Sequence, residues 1–195
     1  MELLTPRPVG RPVWGFTLVE LMVGVAIAGV LLAIATPSLA GLLERRRIIA
    51  VAEEVAGMFN YAKSETNSTG TKLTMNMQNS PDGRSSCMRL VTASLLDTCR
   101  CDVAEADLCQ GSSSTLLREL VVPQASGVSF AASASWGPNS HTASFMRNRR
   151  FTEVQDLRID VTGRRTGAKL RVEYTTVGRV RTCSPDGSIG GYPTC

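Results

Sequence analysis

From residue 16 to residue 43 the chain is almost unbrokenly apolar, and Glu20 is the one charged side chain in that run. The run exceeds the ~20 residues that a helix needs to cross a bilayer. The pattern then changes period. Ile48, Ala52, Val55, Phe59 and Ala62 recur at helical spacing, with Arg45, Arg46, Glu53, Glu54 and Lys63 mostly between them. This predicts an amphipathic helix from residue 42 to roughly residue 64, whose apolar stripe packs on a sheet. After Asn67-Ser68-Thr69-Gly70 the period falls to two: Leu73, Met75 and Met77 alternate with polar residues. Pro81-Asp82-Gly83 reads as a turn and residues 87–91 as the next strand. Residues 97–115 are a cysteine- and serine-rich excursion without a period, and 116–122, 128–132 and 142–146 are strand candidates. The clearest hairpin comes late. Leu157, Ile159 and Val161 alternate, Gly163-Arg164-Arg165-Thr166-Gly167 turns, and Leu170, Val172 and Tyr174 alternate again. A spine helix followed by antiparallel strands is an α+β plan.

The flanks of the apolar run carry their own signals. Residues 1–15 hold Arg7, Arg11 and three prolines, and this basic stub is expected on the cytoplasmic side. A carboxylate in lipid is costly and usually has a partner, so Glu20 is a functional candidate, against the plainer reading of a residue at the membrane edge. Pro37 lacks a backbone donor and is expected to kink or loosen the helix. A rival reading is a secretory signal cut after Ala40, but the apolar region is longer than such signals carry. Arg45-Arg46-Arg47, just beyond the run, suits lipid headgroups, neighbouring subunits or solvent equally.

Gly15-Phe16-Thr17-Leu18-Val19-Glu20 resembles the class III leader junction of type IV pilins and type II secretion pseudopilins. Gly before Phe, a carboxylate five residues into the mature chain, an apolar helix and Pro37 within it coincide. The resemblance implies a pilin-like fold, with a long N-terminal helix packed on an antiparallel β-sheet and the first half of that helix spanning the membrane. It implies that a prepilin peptidase cuts between Gly15 and Phe16 and methylates Phe16, and that Glu20 meets the N-terminal amine of a neighbouring pilin subunit during assembly. Residues 1–15 are then a removed leader, 16–43 the transmembrane and assembly half of the helix, and 44–195 a periplasmic or extracellular globular domain. The chain would sit in the inner membrane by one helix and later in a pilus fibre at the cell surface.

Composition changes the picture in two respects. Charged residues are 19% and hydrophobics 43%, so the part beyond the apolar run is globular rather than disordered. Six cysteines, Cys87, Cys99, Cys101, Cys109, Cys183 and Cys195, all follow that run, an even count that suggests disulfides in an exported domain. Cys183 and Cys195 are the best pair, closing a loop rich in Gly, Pro and Ser; the other four are left unassigned within 87–109. A metal site is not expected. Cys99 and Cys101 lack the usual two-residue spacer, and His141, the one histidine, lies far off and reads as a surface residue. No cofactor is expected either.

Charge is uneven along the chain. Residues 145–195 hold ten Lys or Arg against five acids, whereas residues 16–144 hold nine basic and eleven acidic residues. Nine of those ten are Arg, whose planar fork grips phosphate, so an anionic partner is expected. Gly178-Arg179-Val180-Arg181 follows the alternating Leu170, Val172 and Tyr174, and in an extended chain Arg179 and Arg181 share a face. Gly178 permits a turn or a close approach. This Gly-Arg-x-Arg stretch, with Cys183-Ser184-Pro185 and Gly191-Tyr192-Pro193-x-Cys195 behind it, is similar to the FimT/GspH group of minor pilins and pseudopilins. In competence-associated members of that group the motif binds DNA in natural transformation, and the resemblance places that role on Gly178, Arg179 and Arg181. Arg164 and Arg165 are auxiliary candidates for double-stranded DNA, as are Arg147, Arg149 and Arg150; each taken singly reads as a solvated charge. Tyr192 has a ring that can stack on a base, and reads first as a packed loop aromatic. The two competing functions are a minor pilin that captures DNA without sequence preference and a structural GspH-like pseudopilin of a type II secretion system. An enzyme is not expected, because no nucleophile elbow, phosphate loop or histidine-based constellation is present.

Overall fold

The computed structural model describes residues 15–79, 85–92, 114–133, 142–147, 157–175 and 177–195. The expected turn at 81–83, the excursion at 97–115 apart from its last two residues, Arg149, Arg150 and His141 lie outside them. The chain opens with one helix, α1 (Leu18–Thr69), and divides into two compact units, Met1–Ala40 and Gly41–Cys195.

In the first unit the helix starts at a capping arrangement. The Glu20 backbone N–H donates to Thr17 Oγ1 at 3.2 Å, and the Leu21 N–H donates to the Thr17 carbonyl. Thr17 and Glu20 thus have the Thr-x-x-Glu spacing of a capping box, and an acid in the first turn also suits the helix dipole. Leu18, Val19, Leu21, Met22, Val25, Leu31 and Leu32 are all exposed, so this stretch is apolar all round. Such a helix is covered by lipid or by other chains. Among the described residues no single helix is long and apolar enough to cross a membrane; Leu18–Ile34 and Ser38–Thr69, bent by 42° where they meet, pass that test together by length and composition only.

In the second unit α1 lays the expected stripe inward. Ile48, Ala52, Val55, Phe59 and Ala62 have no exposed surface. The helix runs five residues past the expected end and stops at Gly70, whose φ of +73° lets its N–H donate to the Thr66 carbonyl at 3.0 Å. Among the described residues eight strands follow: β1 (Leu73–Asn79), β2 (Ser85–Val91), β3 (Leu116–Pro123), β4 (Val128–Ser133), β5 (Thr142–Phe145), β6 (Leu157–Gly163), β7 (Lys169–Tyr174) and β8 (Val180–Cys183). They form two antiparallel sheets, ordered β3-β2-β1-β5 and β4-β6-β7-β8. Alternation decides the faces: Leu157, Ile159 and Val161 of β6 and Leu170, Val172 and Tyr174 of β7 turn inward. They join Met75, Met88, Leu90 and the helix stripe in one core that lies wholly within Gly41–Cys195. The fold is α+β, a long N-terminal helix packed on antiparallel sheets.

Candidate nucleic-acid interface

Gly178-Arg179-Val180-Arg181 is not a loop after the last strand. It is the end of a hairpin and the start of β8, an edge strand that the sequence pattern does not reveal. The Thr175 N–H donates to the Arg179 carbonyl at 3.0 Å and the Gly178 N–H to the Thr175 carbonyl at 2.7 Å, closing a tight connection between β7 and β8. Gly178 has φ +76°, the left-handed residue such a connection needs. A Cβ there would also lie 3.2 Å from the Tyr174 hydroxyl and 3.5 Å from Lys63 Nζ. Gly178 is therefore required by the turn itself. Lys63 Nζ, from the helix, donates to the Gly178 carbonyl at 2.9 Å and ties the turn to α1.

The register puts both arginines on the outer face. Tyr174 opposes Val180 on the core side, so Glu173 and Arg181 oppose each other outside. Arg179 stands opposite Thr175 in the same alternation, and both arginines are exposed. Their neighbours differ in charge. Arg171 holds Asp160 by two bonds, Nε to Oδ1 at 2.6 Å and Nη2 to Oδ2 at 3.0 Å, and this carboxylate raises the arginine's pKa further. Glu173 lies between Arg158, at 3.8 Å, and Arg181 across the strand pair. Arg181 also donates from Nη2 to the Thr194 carbonyl at 3.2 Å. Arg179, by contrast, has no side-chain partner among the described residues.

The Cys183–Cys195 bridge is formed, with Cα atoms 5.1 Å apart. It closes the loop 184–194 behind β8, and the Ser184 N–H donates to the Pro193 carbonyl at 2.8 Å across the loop's neck. Inside, Asp186 accepts from the Ser188 N–H at 3.0 Å; these hydrogen bonds hold its carboxyl below the usual range. Tyr192 is half-buried and packs against the core, and burial followed by the nearby Glu53 raises its hydroxyl pKa. It is a packed loop aromatic. The Glu173 carboxylate gathers near both sulfurs of the bridge, but bonded sulfurs offer no thiolate to a metal. Cys87 is buried and also disulfide-bonded; Cys99, Cys101 and Cys109 lie outside the described residues.

Arg164 and Arg165 are not part of this surface. They sit in the turn between β6 and β7, at the other end of β7 from the turn that carries Gly178. Six strand residues separate the two turns, about 20 Å at ~3.4 Å per residue. The structure instead brings in residues that sequence spacing did not single out. Lys63 reaches the turn from the helix, and Arg158 stands on the outer face of β6. Arg147 is exposed and lies against Gly70, near the C-terminal end of α1, where its charge suits the helix dipole.

Residues 15–36 match the family described as the prokaryotic N-terminal methylation motif. The chain carries that motif at its N-terminal end. The matched segment holds Phe16, Glu20 and the apolar first half of α1. No curated protein sequence matches the chain. Among solved structures, the chain is similar to the type IV minor pilin FimU of Pseudomonas aeruginosa PAO1, at 17% identity and a TM-score of 0.48, over 71% of this chain and 89% of that one. It is also similar to the minor pseudopilin EpsH from the type 2 secretion system of Vibrio cholerae, at 10% identity and a TM-score of 0.42, over 70% and 96% of the two chains.

Proposed function

We propose that this chain is a minor type IV pilin that joins a pilus with other pilin subunits and binds extracellular double-stranded DNA non-specifically at Arg179 and Arg181. In this reading a prepilin peptidase removes the leader after Gly15 and methylates Phe16, and the apolar half of α1 anchors the subunit in the inner membrane with its globular domain outside the cytoplasm. The methylation motif at 15–36 supports the processing, and the all-round apolar surface of residues 18–34 supports the anchor. Glu20 would neutralise a neighbouring subunit's N-terminal amine; it stands in the first turn of α1, where its backbone N–H is capped by Thr17.

One observation carries the DNA reading. Arg179 is an exposed guanidinium with no acid partner among the described residues, beside Arg181 on the outer face of a hairpin whose last strand ends at the Cys183–Cys195 bridge. A rigid strand presents two forks at the spacing of alternate residues, and phosphate oxygens fit each fork. No helix enters a groove here, so base reading is not expected. A few phosphate contacts give a Kd on the order of 10⁻⁴–10⁻⁶ M, and many copies along a fibre raise the avidity. The test is a titration of oxidised residues 41–195 with duplex DNA of two unrelated sequences. The expected result is equal affinity for both and loss of binding in Arg179→Gln/Arg181→Gln; binding that survives the double substitution rejects the assignment.

The alternative is a structural GspH-like pseudopilin of a type II secretion system. It is favoured by the acids on the same face: Asp160 neutralises Arg171, and Glu173 faces Arg158 and Arg181. A face of alternating charge suits a protein neighbour as well as a polyanion. A deletion strain that loses secretion and keeps DNA uptake would establish this reading in place of the first.

A further inference from the structure

The arginines that do not reach the Gly178 hairpin form a group of their own. Three segments bring them together. The buried Glu44 carboxylate accepts the Arg165 N–H at 2.7 Å and the Thr166 N–H at 2.8 Å, which fixes the β6–β7 turn beside the helix. Arg47 Nη1 donates to the Ser126 carbonyl at 2.8 Å, and the Arg164 N–H donates to the Gly127 carbonyl at 2.9 Å. Helix and turn therefore both hold the short 3-10 segment Gln124–Ser126 and its glycine cap. Arg45, Arg46, Arg47, Arg164 and Arg165 are all exposed. None forms an ion pair among the described residues; Glu44, the acid in their midst, gives both oxygens to the turn's N–H groups and meets Arg165 only through its charge. Five guanidinium charges thus stand around the helix against the single carboxylate charge of Glu44.

Their place along the chain points to a ligand. The apolar run ends at Leu43, and Arg45 to Arg47 follow within about 3 to 6 Å at ~1.5 Å per helical residue. The headgroup layer beyond the hydrocarbon of a bilayer is roughly 5–8 Å deep on each side. We infer that Arg45, Arg46, Arg47, Arg164 and Arg165 form a basic collar that binds the phosphates of anionic lipid headgroups. In the orientation proposed above, these charges stand on the flank where the positive-inside bias does not call for them, since Arg7 and Arg11 already mark the other side. A headgroup contact gives them a role that targeting does not. The two elements differ in what they add: the helix arginines lie at headgroup depth by their position in sequence, and the β6–β7 turn carries two more charges to the same level.

Co-sedimentation with vesicles tests the collar. Residues 41–195 hold the whole core, so this unit is used without the apolar anchor, which would bind any bilayer. Vesicles of phosphatidylcholine alone are compared with vesicles containing phosphatidylglycerol. Each arginine near an anionic surface contributes about fivefold in the partition coefficient, so Arg45→Gln/Arg46→Gln/Arg164→Gln/Arg165→Gln should weaken binding to anionic vesicles about a hundredfold or more. The corresponding four-lysine variant keeps the charge and should keep binding, which separates lost charge from lost folding. Arg179→Gln/Arg181→Gln should sediment as the parent does. Equal sedimentation with both vesicle types, equal losses in the two arginine variants, or a collar variant that loses duplex DNA and keeps vesicles would each overturn the inference.

Discussion

Both hairpin turns that flank β7 are fastened to α1, by opposite chemistry. At the β6–β7 turn a buried carboxylate, Glu44, accepts two backbone N–H groups; at the β7–β8 turn an exposed amine, Lys63, donates to one backbone carbonyl. The two anchors are nineteen helical residues apart, about 28 Å. Each end also displays exposed arginines, yet their surroundings differ. Around Glu44 five guanidinium groups stand against that one carboxylate, whereas on the outer face beside the β7–β8 turn Asp160 pairs with Arg171 and Glu173 faces Arg158 and Arg181. The lesson is that net charge per stretch of sequence says little about a surface. What matters is which carboxylates share the face, and whether they are already spent on backbone groups.

The comparison breaks most visibly at Glu44. Glu44→Ala removes two charge-assisted hydrogen bonds, so residues 41–195 should lose about 2–4 kcal/mol in urea unfolding. Burial pushes the Glu44 carboxyl up, and the hydrogen bonds from Thr166 and Arg165 more than reverse this, leaving it lowered. The stabilisation is then complete above the unfolded value of about 4.3 and is lost as pH falls through the folded one, because the unfolded chain binds the proton first. Wild type and Glu44→Gln should therefore differ at neutral pH and converge in acid, as followed by urea midpoints.

At the other turn the backbone, not a carboxylate, sets the cost. Gly178→Ala places a Cβ on a residue with φ +76° and should cost about 1–2 kcal/mol, seen as a lower unfolding midpoint. Lys63→Met is the smallest step. An exposed single hydrogen bond contributes below about 1 kcal/mol, so the midpoint should barely move. If Lys63→Met cost as much as Glu44→Ala, the contrast between the two anchors would fail.

Much of this fold was legible in advance, for definite reasons. The helix stripe at Ile48, Ala52, Val55, Phe59 and Ala62 and the β6–β7 hairpin are periodic, and burial follows the period. The last five residues of the helix are not legible because residues 64–69 are all polar, although Thr66 is buried and Gly70 supplies the cap. Strand β8 escaped because it is a short edge strand with Arg181 outward and only Val180 and Thr182 facing the core side. The candidate site was half legible. Arg179 and Arg181 share a face by simple alternation, but sequence pooled Arg164 and Arg165 with them although β7 separates the two turns. The anchors Glu44 and Lys63 could not be read at all, since they act across 121 and 115 residues of chain.

The most direct test of DNA capture is the salt dependence of duplex binding by residues 41–195, compared with Arg179→Gln/Arg181→Gln. If both arginines hold phosphates, the slope of log K against log salt should become shallower by about two in the double variant. An unchanged slope would mean that neither guanidinium meets the DNA backbone, and would contradict the assignment of this hairpin as the nucleic-acid interface.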